Sequence, residues 1–547
     1  MKVYKLLLLI AICIINVNIS AQQADYNIIP LPLQIETDSS HAFVLKDNMT
    51  VLIQKNNKEI KRTASFLCQY VNEMTGISLN IVENPKYKAD IVFDKTRKHH
   101  LPGDKPDIEN ASYRIKVDNG GIRIEAPSEE GLFRAVQTIR KSLPVVEGKA
   151  DSILFPYVRI NDKPRFAYRG VHLDSSRHFW TVQTIKRYID MLALHGCNQF
   201  HWHLTDDQGW RFEVKALPEL AKKGSIRQQT VLGRNSGVFD GQPYGGYYTQ
   251  EDCREIVRYA QERYINVIPE IDLPGHMQAA LHVYPHLGCT GGPYPVWQIW
   301  GVSDDVLCAG NPETMDFLKT VLGEICNVFP SRLIHIGGDE CPKGRWRACP
   351  KCQAKARELK IVEGKHTVEN QLQSYINREI EAFLQTRGRN IIGWDETLEG
   401  GLTENATVMS WRGTKGGIDA ARQHHNVIMT PVDYCYIDYY QIKNNWNAPL
   451  AIGGYVPASK TYSFEPVPQE LTEEEQQYIL GTQVNLWCEY ISHEPHLFYM
   501  LLPRLDAISE VQWTQPDKKD FNNFKQRLNR MFLIYKKLSV NFCATVE

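Results

Sequence analysis

Eight short apolar, largely β-branched runs recur between Tyr168 and Trp487, each separated from the next by other sequence, several stretches of it with helical periodicity. The runs are Tyr168–Leu173, Asn198–Leu204, Asn266–Ile271, Leu333–Gly338, Asn390–Trp394, Thr407–Trp411, Asn426–Thr430 and Thr482–Trp487. The clearest helical stretches are Thr181–His195, Asp252–Glu262, Glu313–Val328 and Val368–Thr386. A strand that is apolar along its whole length is buried on both faces, which happens when helices cover a parallel sheet. Eight strand–helix units over residues 165–510 predict an α/β fold, a (β/α)8 TIM barrel with long loop insertions. A doubly wound open sheet is the alternative. No G-x-G-x-x-G or P-loop follows any of the runs, so nucleotide binding has no support.

The regions flanking the barrel read differently. Residues 1–21 form a secretory signal pattern: Lys2 and Lys5, an apolar run from Leu6 to Ile15, then small Ser20-Ala21. Cys13 lies inside the apolar run behind a large Ile12, a poor site for lipidation. With few N-x-S/T sites, Asn48 and Asn405 among them, this predicts an exported, periplasmic chain with no membrane insertion after processing. Residues 22–160 read as a smaller α+β accessory domain. It has a hairpin over Tyr113–Ile124, with Asn119-Gly120-Gly121 supplying a positive-φ turn. An amphipathic helix follows over Glu129–Leu143, then a candidate linker over Pro156–Pro164. Residues 511–547 read as a helical tail packed on the barrel.

Lys plus Arg number 62 and Asp plus Glu 63, for a net charge of -1. That balance lacks the basic excess of a nucleic-acid binder. Removing Cys13 from the 13 cysteines leaves 12. Cys289 and Cys308 flank a Gly- and aromatic-rich loop and could staple it. Cys341, Cys349 and Cys352 are spaced for a structural zinc without an evident fourth ligand, or for a loop disulfide plus a free thiol.

In a TIM barrel the functional groups collect at the C-terminal ends of the strands. Here those ends carry Asp174 and Arg177; His201, His203, Asp206 and Asp207; Glu270, Asp272 and His276; Asp339-Glu340; Trp394, Trp411 and Trp487; Tyr434, Tyr436 and Asp438; and Glu489. Aromatic walls suit the C–H faces of a pyranose, and carboxylates with an Arg suit its hydroxyls. Asp339-Glu340 is the sharpest feature. Past the end of a strand the chain leaves the pleat, so adjacent carboxylates can enter one pocket and divide acid and anion roles if their pKa values are split. A dipole-stabilising pair at a helix start is the structural alternative. His201-x-His203 with His276 also fits a metal-dependent amidohydrolase site. A non-catalytic sugar-binding barrel is a further reading, against which an acid–anion pair argues.

The motifs YRGVHLDSSRHF from Tyr168, HWHLTDDQGWR from His201, PEIDLPGH from Pro269, HIGGDE from His335, WDE from Trp394, WRG from Trp411, YCYIDYY from Tyr434 and NLWCEY from Asn485 together resemble the family 20 glycoside hydrolases, the β-N-acetylhexosaminidases. IIPLP at Ile28 and EEGLFRAVQTIR at Glu129 resemble that family's accessory domain. The resemblance implies exo-acting, retaining removal of terminal β-linked GlcNAc or GalNAc from glycans, without cofactor or metal. The substrate's own acetamido oxygen would be the nucleophile, through an oxazolinium intermediate. Glu340 would be the general acid and then base, its pKa raised toward the working pH. Asp339 would orient the acetamido N–H. Tyr436 would bond the acetamido oxygen, and Trp394, Trp411 and Trp487 would wall the pocket. Arg177, Glu489 and Asp438 would hold hydroxyls, with Asp206 and His276 a relay behind Glu340. Residues 284–311 and 443–480 are expected to be loop insertions whose Trp297, Trp300 and Trp446 either meet the leaving group or pack the loops.

Overall fold

The computed structural model describes residues 22–83, 88–96 and 106–547. The signal-like segment therefore lies outside the described residues. Among them, no helix is long and apolar enough to cross a membrane.

The eight predicted runs close into one parallel barrel: β1 (Tyr168–Asp174), β2 (Gln199–His203), β3 (Asn266–Glu270), β4 (Leu333–His335), β5 (Asn390–Trp394), β6 (Thr407–Ser410), β7 (Val427–Met429) and β8 (Ile479–Val484). Strand β8 pairs back onto β1, with Val484 opposite Val171, so the sheet has no edge. The barrel helices start where capping residues demand. Thr181, Thr249 and Thr367 each accept a bond from the backbone N–H three residues on, opening the helices Val182–Leu194, Gln250–Gln261 and Val368–Gln385. Asn311 caps Pro312–Val328 by accepting from the Glu313 N–H two residues on, with Pro312 at the first position.

Before the barrel, an eight-stranded mixed sheet carries the helices Lys58–Thr75 and Glu129–Ser142. The hairpin forms as Tyr113–Asp118 and Gly121–Ala126, but the positive φ falls on Gly121 alone, at 112°. A Cβ there would stand 2.1 Å from the Asp90 carbonyl oxygen. The expected linker is mostly strand, because Ser152–Asp162 pairs with three neighbours. Pro156 is tolerated because it lies where the partner strand Gln34–Lys46 bulges between Asp38 and Ala42.

Arg134 fixes the accessory domain to the barrel. It is buried and donates at 3.1 Å to the carbonyls of Cys197 and Tyr264 beside β2 and β3. The C-terminal helix Phe521–Lys537 bridges both parts: Arg527 pairs with Glu510 and donates to the Ile28 carbonyl. Residue 511 lies inside the helix Arg504–Trp513, which covers the barrel, so the tail proper begins beyond Trp513.

Candidate active site

The barrel floor is polar. Glu270, at the end of β3, receives His201 Nε2 at 2.9 Å and His203 Nδ1 at 2.6 Å on one oxygen. Its other oxygen lies 3.0 Å from His335 Nδ1 and accepts from Trp394 Nε1 at 3.0 Å. Both carboxylate oxygens are thus filled by ring donors, and the His-x-His pair serves a hydrogen-bond centre rather than an open ligand set. Burial works against a charged His203, but Glu270 and Asp206 outweigh it and raise its pKa to about 10. Burial pushes His201 down to about 4.

From this floor a chain of charges climbs to the pocket. His203 Nε2 bonds Asp206 at 2.8 Å, and Asp206 pairs with Arg177 at 2.9 Å. His276 Nδ1 lies 3.2 Å from Asp206 and 3.0 Å from Asp207. Its Nε2 faces both members of the acidic pair, 3.7 Å from Asp339 and 3.6 Å from Glu340. Burial alone would discharge His276, but Asp206 and Asp207 overcome it and hold the ring cationic. The expected Asp206–His276 relay therefore has Asp207 as a third member at the shorter distance.

Beyond β4 the chain turns on Gly337 and Gly338, at φ 64° and 98°. A Cβ on Gly337 would stand 1.7 Å from Asp272 Oδ1, an approach only glycine permits. Gly338 N–H donates to that same Asp272 oxygen at 3.1 Å. Glu340 itself has φ 46°, in the left-handed region, which turns the chain sharply after Asp339. The side chains end in different surroundings: Asp339 is buried and Glu340 is half-exposed.

Their proton affinities split accordingly. Burial, with Glu270 and Glu340 nearby, raises Asp339 to about 6. The His276 hydrogen bond holds Glu340 below the usual glutamate range. The order is thus the reverse of the one expected for an acid at Glu340.

The walls are aromatic. The Trp394 and Trp487 ring centroids lie 6.0 Å apart, and Trp411 stacks on Tyr436 at 6.0 Å. Arg177 lies over the Trp487 ring at 5.0 Å. At the outer side, buried Asp438 has no donor on either oxygen among the described residues, and its charge interacts with Glu489 and Arg177. Asp339 Oδ1 is likewise buried without a donor among the described residues. Unpaired buried acceptors are costly unless a ligand supplies N–H or O–H groups. Arg177, Asp206, His276, Asp339 and Glu340 are linked by charge contacts, Trp394 with Trp487 and Trp411 with Tyr436 by ring contacts, and Asp438 and Glu489 lie within reach of the Arg177 charge.

Other residues there received no role from the sequence. Asp174 accepts from the Ser176 and Arg177 backbone N–H groups and from the Arg177 guanidinium, fixing that side chain. Glu396 accepts from Trp411 Nε1 at 3.0 Å, and burial with Asp339 nearby raises it to about 8. Its place directly after Trp394-Asp395 at a strand end was the available signal. Of the three loop tryptophans, Trp300 is buried between His178 and Tyr490, and Trp297 N–H donates to the Asp207 carbonyl at 2.9 Å. Trp446 is 90% exposed. The segment 443–480 is not a bare loop, since it contains the helices Ala458–Ser463 and Glu473–Gln476.

Residues 166–516 match the model of glycosyl hydrolase family 20, catalytic domain, and residues 25–163 match domain 2 of that family. A β-hexosaminidase of Porphyromonas gingivalis is 41% identical over 94% of this chain and 64% of its own length. One of Vibrio furnissii is 38% identical over 74% of this chain and 65% of its own. The chain thus spans slightly less than two thirds of these two curated relatives. Among solved structures, the exo β-N-acetylglucosaminidase of Vibrio harveyi in complex with N-acetylglucosamine superposes with a TM-score of 0.80 at 29% identity, over 96% of this chain and 79% of that one.

Proposed function

The chain belongs to glycoside hydrolase family 20, and from that premise we propose that it is an exo-acting, retaining β-N-acetylhexosaminidase that removes terminal β-linked GlcNAc or GalNAc from glycans. One observation carries the reading. Adjacent Asp339 and Glu340 meet at one His276 nitrogen beneath an aromatic wall, and Asp339 Oδ1 is buried with no donor. An acetamido N–H is a donor of the right kind for that oxygen.

The steps follow from these groups. Asp339, ionised, holds the acetamido N–H and turns the carbonyl oxygen toward the anomeric carbon. Tyr436 donates its hydroxyl to that oxygen. The oxygen attacks C1 as the glycosidic C–O bond breaks, and Glu340 gives its proton to the leaving oxygen. Asp339 offsets the positive charge that develops on the oxazolinium nitrogen. Water then enters, Glu340 takes its proton, and hydroxide character at the water oxygen opens the ring at C1. Two inversions leave the β configuration unchanged.

Substrate binding would supply the change in proton affinity that an acid at Glu340 needs. A sugar covering the half-exposed Glu340 removes its water and raises its pKa. The acetamido N–H bonding Asp339 lowers that of its neighbour. The cationic His276 stabilises the Glu340 anion left by proton delivery, the form that then takes a proton from water.

Release of p-nitrophenol from aryl β-N-acetylglucosaminide and β-N-acetylgalactosaminide tests the reading, and their rate ratio reports the preference at the 4-hydroxyl. Well-folded protein that cleaves neither would refute it. We further propose that the chain works outside the cytoplasm, in the periplasm; the basic, apolar and small-residue pattern of residues 1–21 supports this.

A further inference from the structure

Four cysteines from separate parts of the chain meet beside the pocket. Cys289 and Cys308 stand at the two ends of a loop whose base is closed by a bridge between Gly288 and Leu307. Cys349 and Cys352 flank Pro350-Lys351 at the start of the helix Pro350–Glu358. The four sulfurs all lie within 4.8 Å of one another. Cys289 and Cys352 are 3.8 Å apart, Cys308 and Cys349 3.7 Å, and Cys308 and Cys352 3.6 Å. Cys341, grouped with Cys349 and Cys352 by spacing, is not among them; it stays beside Asp339.

A tetrahedral zinc with Zn–S bonds of about 2.3 Å places its sulfurs about 3.8 Å apart along every edge. Three of the sulfur separations fall close to that length. Cys308 is nearly equidistant from two partners, which four ligands around one centre require and a disulfide does not. C-x2-C at a helix start is a recurrent zinc-ligand spacing. The backbone is fitted to the cluster as well. A Cβ on Gly310 would stand 2.1 Å from the Lys351 carbonyl, so glycine is needed for the Cys308 turn to lie against the Cys349–Cys352 turn.

We propose that Cys289, Cys308, Cys349 and Cys352 bind one structural Zn2+ as thiolates. Binding releases the thiol protons to solvent and involves no oxidation. The site ties the loop to the helix that follows the catalytic pair. Trp346 Nε1 donates to the Leu307 carbonyl at 2.8 Å and Arg345 pairs with Asp305 at 2.7 Å, so the two segments are already apposed. The same loop carries the Trp297 N–H that donates to the Asp207 carbonyl, and Ser303 N–H reaches the Asp207 carboxylate at 3.4 Å. Asp207 in turn holds His276. The metal thereby becomes a positioning element for the charge chain behind Glu340, not a participant in the reaction.

The test is metal content by plasma mass spectrometry on the mature chain purified with zinc in the buffers, combined with X-ray absorption and a thiol count under denaturing alkylation. The expected result is one zinc per chain with sulfur-only coordination. Cys349→Ser and Cys289→Ser should lose the metal, while Cys68→Ser, in the accessory domain, keeps it. A mercurial titration of wild type should release the zinc together with a fall in Tm. If wild type instead has four fewer alkylatable thiols and no metal, two disulfides occupy the cluster and the inference is wrong. It is equally wrong if the reduced, folded protein fails to take zinc from a chromophoric chelator, or if Cys349→Ser retains a full equivalent.

Discussion

His276 Nε2 stands 3.6 Å from Glu340 Oε2, on a ring whose other nitrogen is already held by Asp206 and Asp207. The ring is cationic and cannot turn away, so Glu340 meets a fixed positive charge whichever protonation state the reaction requires. That favours the anion, and the acid form depends on substrate closing off water. The fixed charge therefore stabilises the anion that each proton delivery would leave on Glu340.

Asp339 should show a trade between activity and stability. Its pKa of about 6 in the folded chain lies above the ordinary 3.8, chiefly through burial. A group raised on folding favours the native state below its unfolded pKa and forfeits that contribution as pH rises through the folded value. At pH 7 the ionised side chain therefore costs about 2–3 kcal/mol. Asp339→Asn should unfold at higher denaturant concentration than wild type at pH 7, with the difference shrinking toward pH 4, while the first chemical step slows. Equal stability at pH 7 would contradict the burial account.

Tyr436 is assigned to the acetamido oxygen, where charge changes during attack. Tyr436→Phe should lower kcat by ~10²–10³-fold, the usual effect of deleting one donor to a developing charge. KM should change little, and single-turnover kinetics would locate the loss in the bond-breaking step.

Asp438 offers two buried oxygens without donors. Asp438→Asn should reduce kcat/KM by ~10–10²-fold, corresponding to about one hydrogen bond to a charged acceptor. The variant should also be more stable at neutral pH, since burial and Glu489 raise the native carboxyl well above its ordinary value. An unchanged kcat/KM would remove Asp438 from the sugar site.

Glu270 holds three histidines and Trp394 in place. Glu270→Ala should destabilise the barrel by about 3–5 kcal/mol, because the His203 cation would lose a buried partner. Urea unfolding measures this, and a loss under 1 kcal/mol would mean the histidines are neutral and self-sufficient.

The barrel was legible because most strands are near-continuous apolar runs, although Gln199–His203 carries two histidines, and each clear helix begins at a Thr or Asn cap. Pro156 misled because a proline reads as a break, yet a bulge in the partner strand absorbs its missing N–H. The pocket residues were legible because the strand ends put them together in any closed barrel. What chain spacing could not show was the third dimension of the site. Cys289 and Cys308 reach Cys349 and Cys352 across about one strand–helix unit, whereas Cys341, nearer in sequence, turns away with Asp339. The order of proton affinities was also hidden, since it rests on the left-handed turn at Glu340 and on how much water each carboxyl meets.

The most direct test of the account compares initial rates of wild type and Glu340→Gln on p-nitrophenyl β-N-acetylglucosaminide, an unactivated GlcNAc disaccharide and p-nitrophenyl β-glucoside. The account predicts rapid release from both N-acetyl substrates, almost none from the glucoside, and a loss of ~10²–10⁴-fold on the disaccharide in Glu340→Gln. Efficient cleavage of the glucoside, or undiminished turnover of the disaccharide by Glu340→Gln, would contradict it.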